Sequence, residues 1–303
     1  MPNTKRFKAP RYNPRVTTLA LALILVSAVF HASWNLLAKR SGGGAVFVWL
    51  FCALSTLIWA PLAIGFIVWQ KPHLGPWQVG FIVGSILLHL AYFLTLQKGY
   101  KVGDLSLVYP LARGTGPLLS TVAAIAFFAE RPTPLALLGA LAVVVCVFVM
   151  AGGGSAFSGS SEKARWALRY GLLTGTIIAA YTLWDKQAVS VLLIPPILLN
   201  WGNDLGRTLL LSPLAFRRWG EVREEWRKNR LEAIGIAILS PLSYILVLTA
   251  LKFTPVSYVA PAREVSILIG AALGAWFLAE GDVRRRLWAA SGMVLGVVFL
   301  ALG

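Results

Sequence analysis

Long apolar runs, separated by short polar or glycine-rich connections, set the pattern of the whole chain. Each run is continuous and about 18–25 residues long, with no alternation of apolar and polar positions. Only helices and closed barrels cross a bilayer, and barrel strands would alternate. The pattern therefore predicts an all-α integral membrane protein with ten transmembrane helices: Val16–Ala38, Val46–Trp69, Trp77–Gln97, Leu105–Ala129, Thr133–Ala151, Trp166–Val189, Leu192–Phe216, Leu231–Leu251, Val256–Ala279 and Leu287–Leu302.

The same landmarks occur in both halves of this pattern, in the same order. Arg113 and Arg263 are 150 residues apart, and so are Trp34 and Trp184. Five spans per repeat is an odd number, so the second repeat must enter the membrane in the opposite direction. We therefore expect two inverted five-helix repeats, with a substrate site near the midplane between them. A general similarity of all apolar helices is the alternative explanation, and it does not account for the shared order.

The repeat divides the chain into four segments. A Gly/Ser-rich stretch, GGGSAFSGSS at Gly152–Ser161, has the composition of a flexible tether. The predicted segments are a basic N-terminal tail at residues 1–15, a first five-helix repeat at 16–151, a linker at 152–163 and a second five-helix repeat at 164–303.

Composition excludes a soluble globular protein. The chain is 57% hydrophobic and only 13% charged, with a mean hydropathy of +0.72, whereas soluble domains carry about twice that charged fraction. The net charge of +16 comes from basic residues between the spans, where lipid headgroups and the orientation rule place them. The lipid bilayer is therefore the expected partner, and nucleic acid is not.

The basic residues give conflicting indications about orientation in the membrane. A plain count of Lys and Arg between spans places the termini outside. The basic first segment, and the glutamates that neutralise part of the Arg217–Arg230 connection, favour termini in the cytoplasm, which is the orientation expected here. This connection places Trp219, Val222 and Trp226 on one helical face. It is therefore either a helix lying at the interface or a solvated charged loop.

Polar and aromatic side chains inside the apolar runs form the candidate substrate site, because such groups face protein or water rather than lipid. Each arginine among them has two interpretations, a substrate contact or a structural ion pair. Glu130 and Glu280 lie at span ends, where a capping or loop-ordering role fits better. The candidate substrate-binding residues are His31, Trp34, Asn35, Tyr92, Tyr109, Arg113, Tyr181, Trp184, Asp185, Asn203, Asp204, Arg207, Tyr258, Arg263 and Glu264.

Three prolines are candidate helix breaks or gates. Pro110 and Pro261 occupy corresponding places in the two repeats, and Pro117 follows in the fourth span. Proline removes a backbone donor and clashes with the carbonyl four residues before it, so these helices are expected to be kinked or broken. Broken helices at matching positions in two halves indicate a midplane site.

Catalytic and cofactor motifs are not found in the sequence. The three histidines, His31, His73 and His89, show no spacing typical of a metal site. No phosphate-binding loop, GxSxG motif or Ser–His–Asp order occurs. The sequence therefore predicts neither an enzyme nor a bound metal or cofactor.

Three sequence blocks carry a resemblance to a known family. They are HASWN at His31–Asn35, KGYKVGDLSLVYPLARGTGP at Lys98–Pro117, and LKFTPVSYVAPAREV at Leu251–Val265. With these blocks the chain resembles a ten-helix, EamA-type member of the drug/metabolite transporter superfamily. Ala129 and Ala279 stand where the family's Gly-Glu pair has glycine, and the ninth span lacks a second proline matching Pro117.

The resemblance implies a secondary transporter that exports amino acids, with aromatic or hydrophobic ones as candidates, or similar small metabolites. Export would cross the bacterial inner membrane by alternating access, with a small molecule as partner and a monomer as the favoured state. The alternatives are efflux of cationic drugs or of a lipid-linked sugar, followed by an intramembrane enzyme or scaffold. Small multidrug relatives carry a proton-coupling carboxylate in the first helix, which this chain lacks. The groups that could carry protons instead are Asp185, Asp204, Glu264 and His31.

Overall fold

The computed structural model describes residues 17–41, 44–102, 105–150, 162–270 and 283–303, and all regular structure in these ranges is helical. The predicted all-α fold is confirmed for this part of the chain. Its helices are α1 (Thr18–Ser41), α2 (Ala45–Gln70), α3 (Pro76–Val102), α4 (Leu105–Phe128), α5 (Pro134–Met150), α6 (Glu162–Ser190), α7 (Pro196–Arg217), α8 (Trp219–Phe253), α9 (Val256–Ala262), α10 (265–270) and α11 (Val283–Leu302).

Several of these helices are long and apolar enough to cross a bilayer. Five qualify by length and composition, and they lie in α1, α2, α3, α4 and α8. Shorter apolar helices occur at Pro134–Val149 and Trp288–Leu302. Helices α6 and α7, with 29 and 22 residues, have sufficient length but carry polar side chains along their faces. The chain is therefore a multi-pass membrane protein.

The two halves of the chain pack against each other through most of their helices. Helix α1 packs on α8, α3 on α6, α4 on α6, α2 on α7 and α5 on α11. Each of these pairs joins one helix from the first half with one from the second. The hydrophobic core is thus built jointly, and polar side chains on facing helices meet at the boundary between the halves.

Hydrogen bonds between serines fix the contact of α1 with α8. Ser27 Oγ donates to the Ser243 carbonyl oxygen at 2.9 Å, and Ser243 Oγ donates to the Ser27 carbonyl oxygen at 3.0 Å. Both residues are buried. Small residues that allow close backbone approach, with hydroxyls bonding across, are the usual basis of helix association in a membrane.

Helices α5 and α11 approach each other most closely at two glycines. A Cβ atom added to Gly139 would lie 2.5 Å from the Gly296 carbonyl oxygen, and one added to Gly296 would lie 2.8 Å from the Gly139 carbonyl oxygen. Any side chain at either position would push the backbones apart. This crossing therefore requires glycine on both helices.

The charged connection before the eighth span is helical. Helix α8 begins at Trp219 and bends at Asn229, whose φ and ψ of −124° and 27° are not helical. Before this bend, Val222 is buried and the Trp219 ring lies 6.1 Å from that of Trp49, centroid to centroid. The interfacial-helix interpretation therefore describes residues 219–228 better than a solvated loop.

Of the three candidate prolines, one lies beside an interruption of its helix. Helix α4 runs without interruption through Pro110 and Pro117, so the breaks expected there are absent. Membrane helices tolerate proline where packed neighbours and local adjustments compensate for the lost backbone bond. In the second half, α9 ends one residue after Pro261, and the turn residues Arg263 and Glu264 separate it from α10.

Candidate functional site

The turn between α9 and α10 places an acidic side chain against α4. Glu264 Oε2 lies 3.0 Å from Arg113 Nε, and both side chains are buried. Arg113 also donates to Ser266 Oγ at 3.2 Å and lies 3.4 Å from His31 Nε2. The guanidinium of Arg113 therefore connects α1, α4, the turn after α9, and α10. Its contact with Glu264 agrees with the interpretation of this arginine as part of a structural ion pair.

Arg263, the counterpart of Arg113, has a different environment. Its guanidinium carbon lies 5.7 Å from the centroid of the Tyr244 ring, and the side chain is half-buried. Within the described ranges, no carboxylate lies at ion-pair distance from Arg263. A partly buried cation is stabilised by an anion or an aromatic face, and the described residues supply the aromatic face of Tyr244.

A second cluster surrounds Asp185 on α6. Its carboxylate is fully buried and accepts hydrogen bonds from Ser85 Oγ at 2.5 Å and from the Tyr244 hydroxyl, while His89 Nε2 lies 3.0 Å away. The His89 ring stacks on Tyr181 with centroids 4.3 Å apart. Because Tyr244 contacts both Asp185 and Arg263, the acidic and basic groups share one aromatic neighbour.

Aromatic rings close one side of this cluster. Tyr92 packs edge-on against Tyr181 at 5.7 Å, and the His89 ring meets Tyr244 at 5.3 Å. These rings come from α3, α6 and α8. Together they form an amphipathic wall beside the buried carboxylate.

A third group of polar residues lies where α7 meets α2 and α3. Asp204 forms an ion pair with Arg207 and accepts a hydrogen bond from Ser55 Oγ at 2.6 Å. The adjacent Asn203 donates to Ser85 Oγ at 3.1 Å. Since Ser85 also bonds Asp185, the polar residues of α7 continue into the Asp185 cluster.

Other candidate residues lie outside these clusters. The Trp184 ring stacks on Phe81 with centroids 4.3 Å apart, and Trp184 Nε1 donates to the Phe81 carbonyl oxygen at 2.8 Å. Asn35 Nδ2 donates to the His31 carbonyl oxygen of its own helix at 2.7 Å. Trp34 meets the His31 ring edge-on at 5.0 Å.

Tyr258 and Tyr109 are the remaining candidate tyrosines. Tyr258 is buried in the core, and its hydroxyl accepts a hydrogen bond from the Thr133 backbone N–H at 3.4 Å, directly before α5. The side chains of Tyr109 and Pro110 lie outside the described residues.

The corner between α8 and α9 is held by two buried charged side chains. Glu130 accepts hydrogen bonds from the backbone N–H groups of Val256 at 2.8 Å and Ser257 at 2.9 Å. Lys186 Nζ donates to the carbonyl oxygens of Leu251 at 2.5 Å and Thr254 at 2.9 Å. Glu130 thus caps α9, the role expected for it, while its counterpart Glu280 lies outside the described residues.

Ser85, His89 and Tyr244 are site residues that the candidate set does not contain. Ser85 and His89 are one turn apart on α3, so they share a face. That spacing on an otherwise apolar helix is the signal that could have identified them. Tyr244 has no comparable sequence signal.

The polar clusters coincide with neither a group of metal ligands nor a cavity in the described ranges. In the described ranges, no three His, Cys, Asp or Glu side chains come together as metal ligands. One apolar cavity of about 100 Å³ lies between α4 and α5 beside Pro261, and another of about 290 Å³ lies between α2 and α8. Neither is lined by the polar clusters described above.

Comparisons with known proteins address fold and family. The model of the EamA-like transporter family matches residues 165–302. A solved crystal structure, described only as that of a protein, is 16% identical and superimposes with a TM-score of 0.74, covering 93% of this chain and 96% of its own. No curated protein sequence matches the chain. The structural likeness establishes the fold, and the family match confirms the resemblance drawn from the motifs for the second half.

Proposed function

Since residues 165–302 match the model of the EamA-like transporter family, we propose that this protein exports amino acids or similar small carboxylate-bearing metabolites across the bacterial inner membrane. The observation that carries the proposal is the environment of Arg263, a half-buried guanidinium with an aromatic neighbour and no carboxylate partner in the described ranges. A carboxylate ligand would complete this environment with charge-assisted, bidentate hydrogen bonds.

The contrast with Arg113 supports Arg263 as the binding arginine. Glu264 neutralises Arg113 at 3.0 Å, so that arginine has no net charge to offer to a substrate anion. Arg263 keeps its charge and is anchored through Tyr244, which also bonds Asp185. An anion bound at Arg263 would therefore lie within reach of the Asp185 cluster.

The same cluster suits the other parts of an amino acid. Asp185 provides a buried carboxylate that could exchange one of its donors for a substrate ammonium. The rings of Tyr92, Tyr181 and His89 provide surface for an aromatic or hydrophobic side chain. Among the described residues, a guanidinium without an ion-pair partner and a buried carboxylate share the neighbour Tyr244. This combination fits a zwitterion better than a phosphate, which would need more uncompensated positive charge.

The burial of the site between the halves supports transport by alternating access. Arg113, Asp185 and Glu264 are buried, so a substrate enters only if helices of the two halves separate. Helix α1 of the first repeat corresponds to α6 of the second, and α3 corresponds to α8. The contact of α1 with α8 therefore has its counterpart in the contact of α6 with α3, which supports the inverted-repeat arrangement typical of such transporters.

The experiment is counterflow of labelled solutes into proteoliposomes that contain the purified protein. We expect saturable counterflow of at least one amino acid, its loss in Arg263→Ala, and normal activity in Arg165→Ala, which changes an exposed arginine on α6. Counterflow of no amino acid would reject the proposed cargo. A cationic dye transported equally well by the Arg263→Ala variant would favour drug efflux instead.

A further inference from the structure

An apolar groove lies between α2 and the interfacial part of α8, residues 219–228. Its volume is about 290 Å³. We refer to it as the α2–α8 groove, and it is lined by Trp49, Leu50, Ala53, Leu54, Leu57, Trp219, Val222, Arg223 and Trp226. Arg223 is the charged residue in this lining, and the other lining side chains are apolar or aromatic.

The length and apolar lining of the groove suit a lipid chain. Along α2 it extends from Trp49 to Leu57, which corresponds to roughly 12 Å at the helical rise per residue. Leu57 is 70% exposed at one end, whereas Trp49 is buried at the other. Two tryptophans of the interfacial segment, Trp219 and Trp226, border it, as is usual at the level of lipid headgroups.

The charges of the interfacial segment leave Arg223 available. Arg218 lies 3.6 Å from Glu221, Lys228 lies 2.5 Å from Glu224, and the side-chain amide of Asn229 donates to Glu225 at 2.7 Å. All three glutamates of the segment therefore have partners. No carboxylate of the described residues forms an ion pair with Arg223.

The surroundings of Arg223 add positive charge. Between residues 217 and 230 the chain has six basic residues and three carboxylates, and Arg217, Arg227 and Arg230 also form no ion pair with described residues. A headgroup with a net negative charge is attracted by this excess of positive charge. A zwitterionic headgroup is attracted less, because it brings its own cation close to these arginines.

We propose that the α2–α8 groove binds an anionic phospholipid, with one acyl chain along α2 and the phosphate paired with Arg223. The apolar lining accommodates the chain, and the guanidinium provides the planar donors that suit a phosphate. The site concerns the bilayer rather than the transported solute, so it does not depend on the proposed function.

The test is a titration of the purified full-length protein in a neutral detergent, with thermal unfolding as the readout. The ligands are short-chain phosphatidylglycerol, phosphatidylcholine with the same chains, and glycerol phosphate without chains. A ligand that binds only the folded protein raises the unfolding temperature, and at equal concentration the tighter ligand raises it more. We expect phosphatidylglycerol to bind most tightly and glycerol phosphate to have no effect.

Two variants separate the headgroup contact from the chain contact. Arg223→Gln should weaken phosphatidylglycerol binding by about fivefold and remove its advantage over phosphatidylcholine, while Arg165→Gln should change neither. Ala53→Trp, which fills the groove, should weaken both phospholipids alike. Equal binding of the two phospholipids by the unmodified protein, or unchanged phosphatidylglycerol affinity in Arg223→Gln, would overturn the proposal.

Discussion

Arg113 and Arg263 occupy equivalent places in the two repeats, yet the structure treats them differently. Arg113 lies in an uninterrupted α4 and pairs with Glu264 at 3.0 Å. Arg263 lies in the turn after α9, over the face of Tyr244, and forms no ion pair with the described residues. Glycine follows the first arginine and glutamate the second, and this glutamate forms its ion pair with the first arginine. Arg113 therefore joins the two halves, and the environment of Arg263 is the one on which the proposed substrate contact rests.

The largest effect should come from removing the shared carboxylate. Glu264→Gln leaves Arg113 buried without its counter-charge, so we expect a loss of about 3–5 kcal/mol in the free energy of unfolding. Denaturation of the purified protein in detergent measures this loss. The double variant Arg113→Met, Glu264→Leu should be more stable than Glu264→Gln, because no charge remains buried. A smaller loss in the single variant than in the double would contradict the pairing.

The next effect concerns the corner that positions Arg263. Glu130→Ala removes the acceptor of two backbone N–H groups at the start of α9, so we expect about 2 kcal/mol of destabilisation and weaker transport. Thermal unfolding and counterflow should change together. Glu162→Ala, which alters an exposed glutamate at the start of α6, is the matched control. Equal stability of the two variants would show that Glu130 does not cap α9.

A smaller change tests how Arg263 binds its ligand. Arg263→Lys keeps the charge but loses the planar fork, so we expect about tenfold weaker substrate affinity with unchanged protein stability. Competition by unlabelled substrate in the counterflow assay gives the affinity. An unaltered affinity would show that Arg263 contributes charge alone.

The smallest effect is expected at Pro117. Because α4 is already continuous there, Pro117→Ala should change stability by less than about 1 kcal/mol and leave transport intact. The comparison is with Pro261→Ala, beside the interruption that carries Arg263, where transport should fall. Loss of transport in Pro117→Ala alone would assign gating to the first half.

The sequence was sufficient to predict the helices but only part of the site. The second apolar run was expected at Val46–Trp69, and α2 spans Ala45–Gln70, because lipid requires a continuous helix of that length. The predicted start of the eighth helix, Leu231, was less accurate, since α8 begins at Trp219. The charged residues before Leu231 are amphipathic rather than apolar, and run length alone does not reveal a helix of that kind.

Charged candidate residues were identified because ionisable groups within spans are rare and face protein. Ser85 and Tyr244 were missed because their importance depends on how α3, α6 and α8 pack. Their bonds to Asp185 connect residues 100 and 59 positions apart. Helix α4 continues through Pro110, where a kink or break was expected, and packing determines whether a proline interrupts a membrane helix.

The dependence of Arg113 on Glu264 also has a consequence for how the protein is made. Glu264 is synthesised 151 residues after Arg113, which takes roughly 8–30 s at ordinary rates of translation. During that interval the newly inserted first half carries a guanidinium whose counter-charge does not yet exist. Biogenesis must therefore shelter Arg113, at the lipid headgroups or against an insertion factor, until the ninth helix arrives.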